Sequence, residues 1–270
     1  MSSIKLFGNY LKHIFFSVFT NEKTLVAYSE KYNMKFRFHI KDGGGRDIYY
    51  KKGVYSEDYI TSFLLEKIGI NDDDLIIDIG GNIGWYSLVL SYMSKPLVLA
   101  FEPDTFNFAL LKNNVALNKK DNIRVFNLGV SDTPGKMTLH LYKKYNQGRH
   151  SFIRQRNSVG TAEVETIQLD GFLKEQGLDE RKIKLIKIDI EGFEFAAMSG
   201  ARHSLAQTEY LMTEFSPGMM KEINHNPMDY IDYIKSFGFT PWVISELGLT
   251  KPDFDEIIRS NTQVNLFCRK

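Results

Sequence analysis

Leu75 to Gly84 reads LIIDIGGNIG, an apolar run that ends in an acid, followed by a glycine-rich turn and then by WYSLVL. Such an order predicts a buried strand, a tight turn and a helix. Glycines in that turn let the backbone approach a ligand closely, and the helix start presents unpaired N–H groups. Downstream the same alternation repeats. LVLAFE (97–102), IRVFNLGV (123–130), LIKIDI (185–190) and EYLMTEF (209–215) read as further strands, with helices over 83–93, 106–118 and from 193 to 199. Strand then helix, repeated, predicts a doubly wound α/β fold with a mostly parallel sheet.

The flanks differ in texture. KMTLHLYKK (136–144) and TAEVETIQLD (161–170) alternate as paired strands do, and the polar segment between them carries Arg149, Arg154 and Arg156, which predicts a β-hairpin insertion with an exposed loop. Upstream, FRFHI (36–40) and RDIYY (46–50) are read as a hairpin across KDGGG, followed by a helix over 55–68. These give a small N-terminal cap, residues 1–70, and a main domain, residues 71–270. QVNLFCRK, at the end of the chain, reads as a closing strand.

The 270 residues are 43% hydrophobic and 25% charged, a balance that excludes disorder. Lys plus Arg number 34 against 33 Asp plus Glu, so no basic field for a nucleic-acid partner is expected. Cys268 is the single cysteine, which rules out an intrachain disulfide and a Cys-based zinc site, and suits a cytoplasmic location. Residues 4–19, IKLFGNYLKHIFFSVF, contain an apolar run far shorter than the roughly 20 residues that span a bilayer. They read as a helix packed on the domain, with a weak membrane-surface or self-association contact as the second reading.

Asp78 ends the first strand of the glycine-rich unit. A nicotinamide dinucleotide would require G-x-G-x-x-G, but counting from Gly80 the second and third glycine positions hold Asn82 and Trp85. The acid points instead to a ligand with a positive amino group, such as the methionine end of S-adenosylmethionine. Glu102 ends the next strand, and an acid there is placed to accept hydrogen bonds from two ribose hydroxyls.

Together, LIIDIGGNIGWYSL, AFEPDTFNFALLKNNVALN, LGVSD and LIKIDIEGFE resemble the FkbM-type methyltransferases, over about residues 75–214. The resemblance implies a Rossmann-like class I methyltransferase sheet, S-adenosylmethionine as the methyl donor, and a hydroxyl acceptor, often on a sugar or polyketide product. It implies that Asp78, Gly80, Gly81, Asn82 and Gly84 line the methionine side, Glu102 with Pro103 the ribose, and Ser131 with Asp132 the adenine. Where the family commonly has alanine, this chain has Gly81.

Methyl transfer to an unactivated alcohol calls for alignment, a dry pocket and a general base. Of six histidines, His150 in the NQGRHSF loop is the first candidate and His225 in EINHNP the second. Asp189, Glu191 and Glu214 lie at strand ends, where they could orient or deprotonate the acceptor, or hold the donor and the adjacent loop. No His/carboxylate cluster with tight ligand spacing supports a metal. The expected function is therefore O-methylation of a sugar hydroxyl on a glycan or glycosylated metabolite. The alternatives are an N-methyltransferase and a non-catalytic cofactor-binding protein of the same fold.

Overall fold

The computed structural model describes residues 23–51, 53–142, 147–154 and 158–270; the 4–19 segment and Arg156 lie outside the described residues. The chain opens on an antiparallel hairpin of β1 (Thr24–Ser29) and β2 (Met34–His39). Met34, Phe36 and Phe38 alternate inward from β2 and are buried, while Lys35 between them is exposed. The outer edge of β2 is closed by side chains. Asn114 on the Thr105–Leu117 helix and Asn118, which caps its end one turn later, accept from the backbone N–H of Arg37 and Lys35 and donate to their carbonyls, at 2.6–2.9 Å. Four backbone groups that would otherwise face a neighbouring chain are thereby paired.

The expected hairpin across KDGGG is overturned: Gly43–Tyr50 is a helix. Asp42 caps it, its carboxylate accepting from Gly45 N–H at 2.8 Å, which satisfies one of the free donors of the first turn. Glycine at 45 is a packing requirement, because a Cβ there would lie 2.3 Å from that of Phe38. The helix Asp58–Lys67 follows, shorter at both ends than the 55–68 expectation.

The remaining strands are β3 (Leu75–Ile79), β4 (Leu97–Phe101), β5 (Ile123–Phe126), β6 (Gly129–Val130), β7 (Gly135–Leu141), β8 (Gly160–Ile167), β9 (Ile183–Ile188), β10 (Thr208–Phe215), β11 (Thr240–Ser245), β12 (Gly248–Thr250) and β13 (Val264–Arg269). Eight form one sheet in the order β12-β11-β13-β10-β9-β3-β4-β5. The run from β10 to β5 is parallel, and β13 is antiparallel between β10 and β11. The chain leaves β3 toward β4 and β5 and later returns to β9 on its other side. Between β3 and β9 the strand order reverses, and in open α/β sheets ligands bind outside the carboxyl ends of strands at such a point.

IRVFNLGV is not one strand. Its first half is β5, and its second half, β6, leaves the main sheet to pair in parallel with β8, which in turn pairs antiparallel with β7. Glycine at 129 allows this departure, since a Cβ there would lie 2.6 Å from the Phe152 ring. The expected β7–β8 hairpin is present, and with β6 it makes a three-stranded sheet beside the switch point.

Apolar side chains fill both faces of the main sheet. On one, Ile76, Val98 and Leu185 pack with Leu88, Leu111 and the cap residues Phe36, Phe38, Ile48 and Ile60. On the other, Ile77, Leu99 and Ile186 pack with Leu173, Met198 and Ile231. Each such fully buried aliphatic side chain contributes about 1.5–3 kcal/mol. Among the described residues no helix is long and apolar enough to cross a membrane.

Candidate active site

β3 stops at Ile79, and the chain turns through Gly80 at φ +82°, Asn82 at +48° and Gly84 at +92° into the Trp85–Val89 helix. A Cβ at Gly80 would meet the Asp189 carbonyl oxygen at 2.0 Å, so this turn and the one after β9 touch backbone to backbone. Gly80 and Gly81 N–H both donate to the Phe101 carbonyl, at 3.0 and 2.9 Å, which fixes the turn to the end of β4. An alanine at 81 would bring its Cβ to 3.1 Å from the Leu111 side chain, a contact that glycine relieves.

Glu102, just past β4, is 5% exposed. Its carboxylate oxygens accept from Asn82 N–H at 2.8 Å and Asp104 N–H at 3.0 Å. Burial outweighs these two bonds and pushes its pKa up to about 8. Asn127, at the end of β5, supports the same corner by donating to the Glu102 and Pro103 carbonyls at 2.9 Å.

Asp78 is fully buried, and it faces protein. One oxygen accepts from Ser87 Oγ at 2.5 Å; the other lies 3.4 Å from Nζ of Lys187, which stands beside it on β9. Lys187 also donates to the Gly80 carbonyl at 2.9 Å, lies 3.6 Å from Asp189 Oδ2, and sits 4.9 Å from the centre of the Tyr86 ring. Burial alone would lower its pKa, but Asp78, Asp189 and Glu57 outweigh it and the net shift is upward. Asp78, expected to meet a ligand's amino group, lines neither of the clefts over the turn. Its charge is already countered by Lys187, which holds the glycine turn from below.

Two clefts meet over that turn and share Gly80, Asn82 and Asp189. The first, about 390 Å³, runs over Glu102, Pro103 and Asn107 and is roofed by His150, Ser151 and Phe152 of the insertion. The second, about 380 Å³, runs over Gly81, Tyr86 and Lys187 to Tyr55 and the start of the cap helix at Gly44 and Gly45. Asp189 keeps 32% of its side chain exposed at the junction.

The turn after β9 is built by a residue that sequence reasoning missed. Glu194 is fully buried and accepts from Ile190 and Gly192 N–H at 3.1 and 3.0 Å, which lets Glu191 and Gly192 take φ of +55° and +98°. Glu191 is thereby turned toward the insertion, where it lies 3.5 Å from Arg149 Nε, and its carbonyl accepts from Ser151 Oγ at 2.8 Å. Burial, reinforced by the Asp189 charge, raises the Glu191 pKa to about 8. β9 ends at Ile188, so Asp189 and Glu191 both lie in the turn beyond it rather than on the strand.

His150 reaches the first cleft, but its Nδ1 accepts from Tyr142 N–H at 2.9 Å. That bond assigns the proton to Nε2, and burial lowers the ring's pKa. The ring, expected as a general base, thus presents an N–H donor to the cleft in this geometry. Glu214 is 7% exposed and bonded to Ser216 Oγ at 3.0 Å and to Gln263, and lines neither cleft. His225 lines a separate cleft that shares no lining residue with the other two. Ser131 and Asp132 line neither of the two joined clefts. β6 carries them to the small sheet, where Ser131 is buried against Gly200 and Asp132 accepts from Gln168. Among the described residues no three His, Cys, Asp or Glu side chains come together as a metal-binding group.

A family model described as the methyltransferase FkbM domain matches residues 78–258. The 2-O-methyltransferase NoeI of Sinorhizobium fredii is 29% identical over 64% of this chain and 74% of its own length. The hexuronic acid methyltransferase AglP of Haloferax volcanii is 25% identical over 64% of this chain and 68% of its own. Among solved structures, an rRNA methylase from Streptococcus thermophilus aligns with 79% of this chain and 95% of its own at 12% identity and a TM-score of 0.47.

Proposed function

The chain belongs to the FkbM methyltransferase family and is an S-adenosylmethionine-dependent methyltransferase, and from that premise we propose that it methylates a sugar hydroxyl. The observation that carries the reading is the meeting of two clefts at Asp189, with Glu102 along one arm and Lys187 along the other. The two relatives whose printed names specify a 2-O-methyl transfer and a hexuronic acid support the acceptor class.

In this reading Glu102 receives the ribose hydroxyls of the donor, and Gly80, Gly81, Tyr55 and Lys187 flank its methionine end. The bound donor supplies a sulfonium methyl group, the electrophile of an in-line displacement. Asp189 takes the proton of the acceptor hydroxyl as the new C–O bond forms and the S–C bond breaks. His150 Nε2–H holds an oxygen of the acceptor or donor in line, while Phe152 and Leu139 exclude water from the first cleft.

Turnover with a methyl-labelled donor tests this: neutral sugars, hexuronic acids and amines are offered as acceptors, and label is expected in the first two. Label in amines alone would overturn it. Donor affinity carries a second prediction. The ribose hydroxyls bond best to an ionised Glu102, which below about pH 8 must first lose its proton. The Kd for S-adenosylmethionine should therefore fall by up to about tenfold per unit as pH rises from 6 toward 8, then level off. Titration calorimetry of Glu102→Gln should show weaker binding without that slope; a slope that survives in the variant would remove Glu102 from the ribose.

A further inference from the structure

Beside the carboxyl ends of β9 and β10 lies the third cleft, about 520 Å³, walled by Phe195, His225 and Tyr230 and rimmed by Asn224, Asn226 and Asp229. We propose that it is a distal acceptor subsite, holding a second sugar ring of a glycan whose neighbouring ring is methylated at Asp189. This rests on the sugar-methylation reading and adds to it that the acceptor is at least a disaccharide.

Position comes first. The cleft shares no lining residue with the two donor clefts, yet Gly192 lines it while Asp189 lines both of them. Three residues of chain span at most about 11 Å, so the reacting hydroxyl and this cleft are separated by no more than a short stretch of glycan.

The chemistry of the walls fits a sugar. A pyranose offers an apolar C–H face and a belt of hydroxyls that both donate and accept. Phe195 stands edge-on to His225 at 5.7 Å and lies 6.3 Å from Tyr230, which makes an aromatic wall. Tyr230 is buried behind this wall, its hydroxyl bonded to Thr213 Oγ1 at 2.5 Å and to the Glu214 carbonyl at 3.1 Å, so it backs Phe195 and leaves Phe195 and the exposed His225 as the ring surface of the cleft. Around this wall the exposed Asn224, Asn226 and Asp229 supply short amide and carboxylate groups, with Asn226 Nδ2 donating to Asp229 Oδ1 at 2.8 Å. No Lys or Arg is among the lining residues, and Asp229 is negative, so a phosphorylated or nucleotide extension is disfavoured. The polar rim likewise disfavours an aliphatic chain.

The test compares methyl glycosides of glucose, galactose and glucuronic acid, each alone and with one further sugar ring attached, as acceptors of the native chain, Asp229→Ala and Asn224→Gly. Asn224 has φ +59°, which glycine adopts without strain, and Asp229 is exposed, so both variants should fold. A second ring should raise kcat/KM in the native chain by about tenfold, mainly through KM, the worth of one or two well-placed hydrogen bonds. That advantage should shrink to about twofold or less in both variants. If the native chain methylates sugars but gains nothing from a second ring, or the variants keep the gain, the subsite falls and sugar methylation stands. If neither one-ring nor two-ring sugars are methylated, sugar methylation itself fails and takes the subsite with it.

Discussion

A chain carrying Lys187→Met should lose about 3–5 kcal/mol of stability, read as a fall in the urea midpoint, because the change leaves a buried carboxylate without its counter-charge. Lys187 is 2% exposed and Asp78 fully buried, and their side chains approach to 3.4 Å. Without the ammonium, Asp78 keeps only the Ser87 hydroxyl, and the Gly80 carbonyl loses its donor. Methionine matches the length of the lysine stem, so packing against Tyr86 is largely retained and the loss reports charge rather than volume. The double variant Asp78→Asn/Lys187→Met separates the causes. If the ion pair is responsible, removing both charges should recover about 0.5–3 kcal/mol relative to the sum of the single changes. Additive losses, or a single-variant loss below about 1 kcal/mol, would show that Lys187 does not hold this turn.

That lysine also marks a limit of the sequence reading. LIKIDI was read as a buried strand, and a lysine inside such a strand has to be paired, but the sequence does not say with what. The partner came from the register of β3 and β9, which sets Asp78 beside Lys187. Likewise Glu57 and Tyr86, joined at 2.9 Å, enter the second cleft's surroundings through the packing of the cap, which no local pattern reveals. The alternating strands and helices of the main sheet were legible because each apolar run is short and is followed by a turn with defined chemistry. The cap was misread because Asp42-Gly-Gly-Gly carries two signals at once. Three glycines suggest a turn, whereas an acid three residues before Gly45 is also a helix cap, and the closeness of Phe38 decided for the helix. Glu102 and Asp189 could be singled out from sequence because each follows directly on a short apolar strand, β4 and β9, and such strands run to the switch point. The position of Ser131 and Asp132 was not legible, because the departure of β6 for a second sheet depends on β8, some thirty residues later.

Asp189→Asn should lower kcat by about 10²–10⁴ while leaving the Kd for S-adenosylmethionine within about tenfold of native. The expectation follows from which acid is free to act. Glu214 is bonded to Ser216 and Gln263, Glu191 is turned toward Arg149, and His150 has committed Nδ1 to a backbone N–H. Asp189 alone of the five sequence candidates lines both of the joined clefts and keeps a third of its side chain open. Asparagine retains its size and can still bond the donor's amino group through its carbonyl oxygen, but it cannot take a proton at neutral pH. Loss of kcat with donor binding preserved therefore identifies proton transfer. Weakened donor binding with kcat preserved at saturation would assign Asp189 to holding the donor instead. A mercaptan acceptor of the same shape distinguishes the two further, because a thiol ionises about two pH units above neutrality and needs little help from a base. If Asp189 is the base, the variant should methylate the thiol at close to the native rate while failing on the alcohol. An equal loss on both would overturn that role.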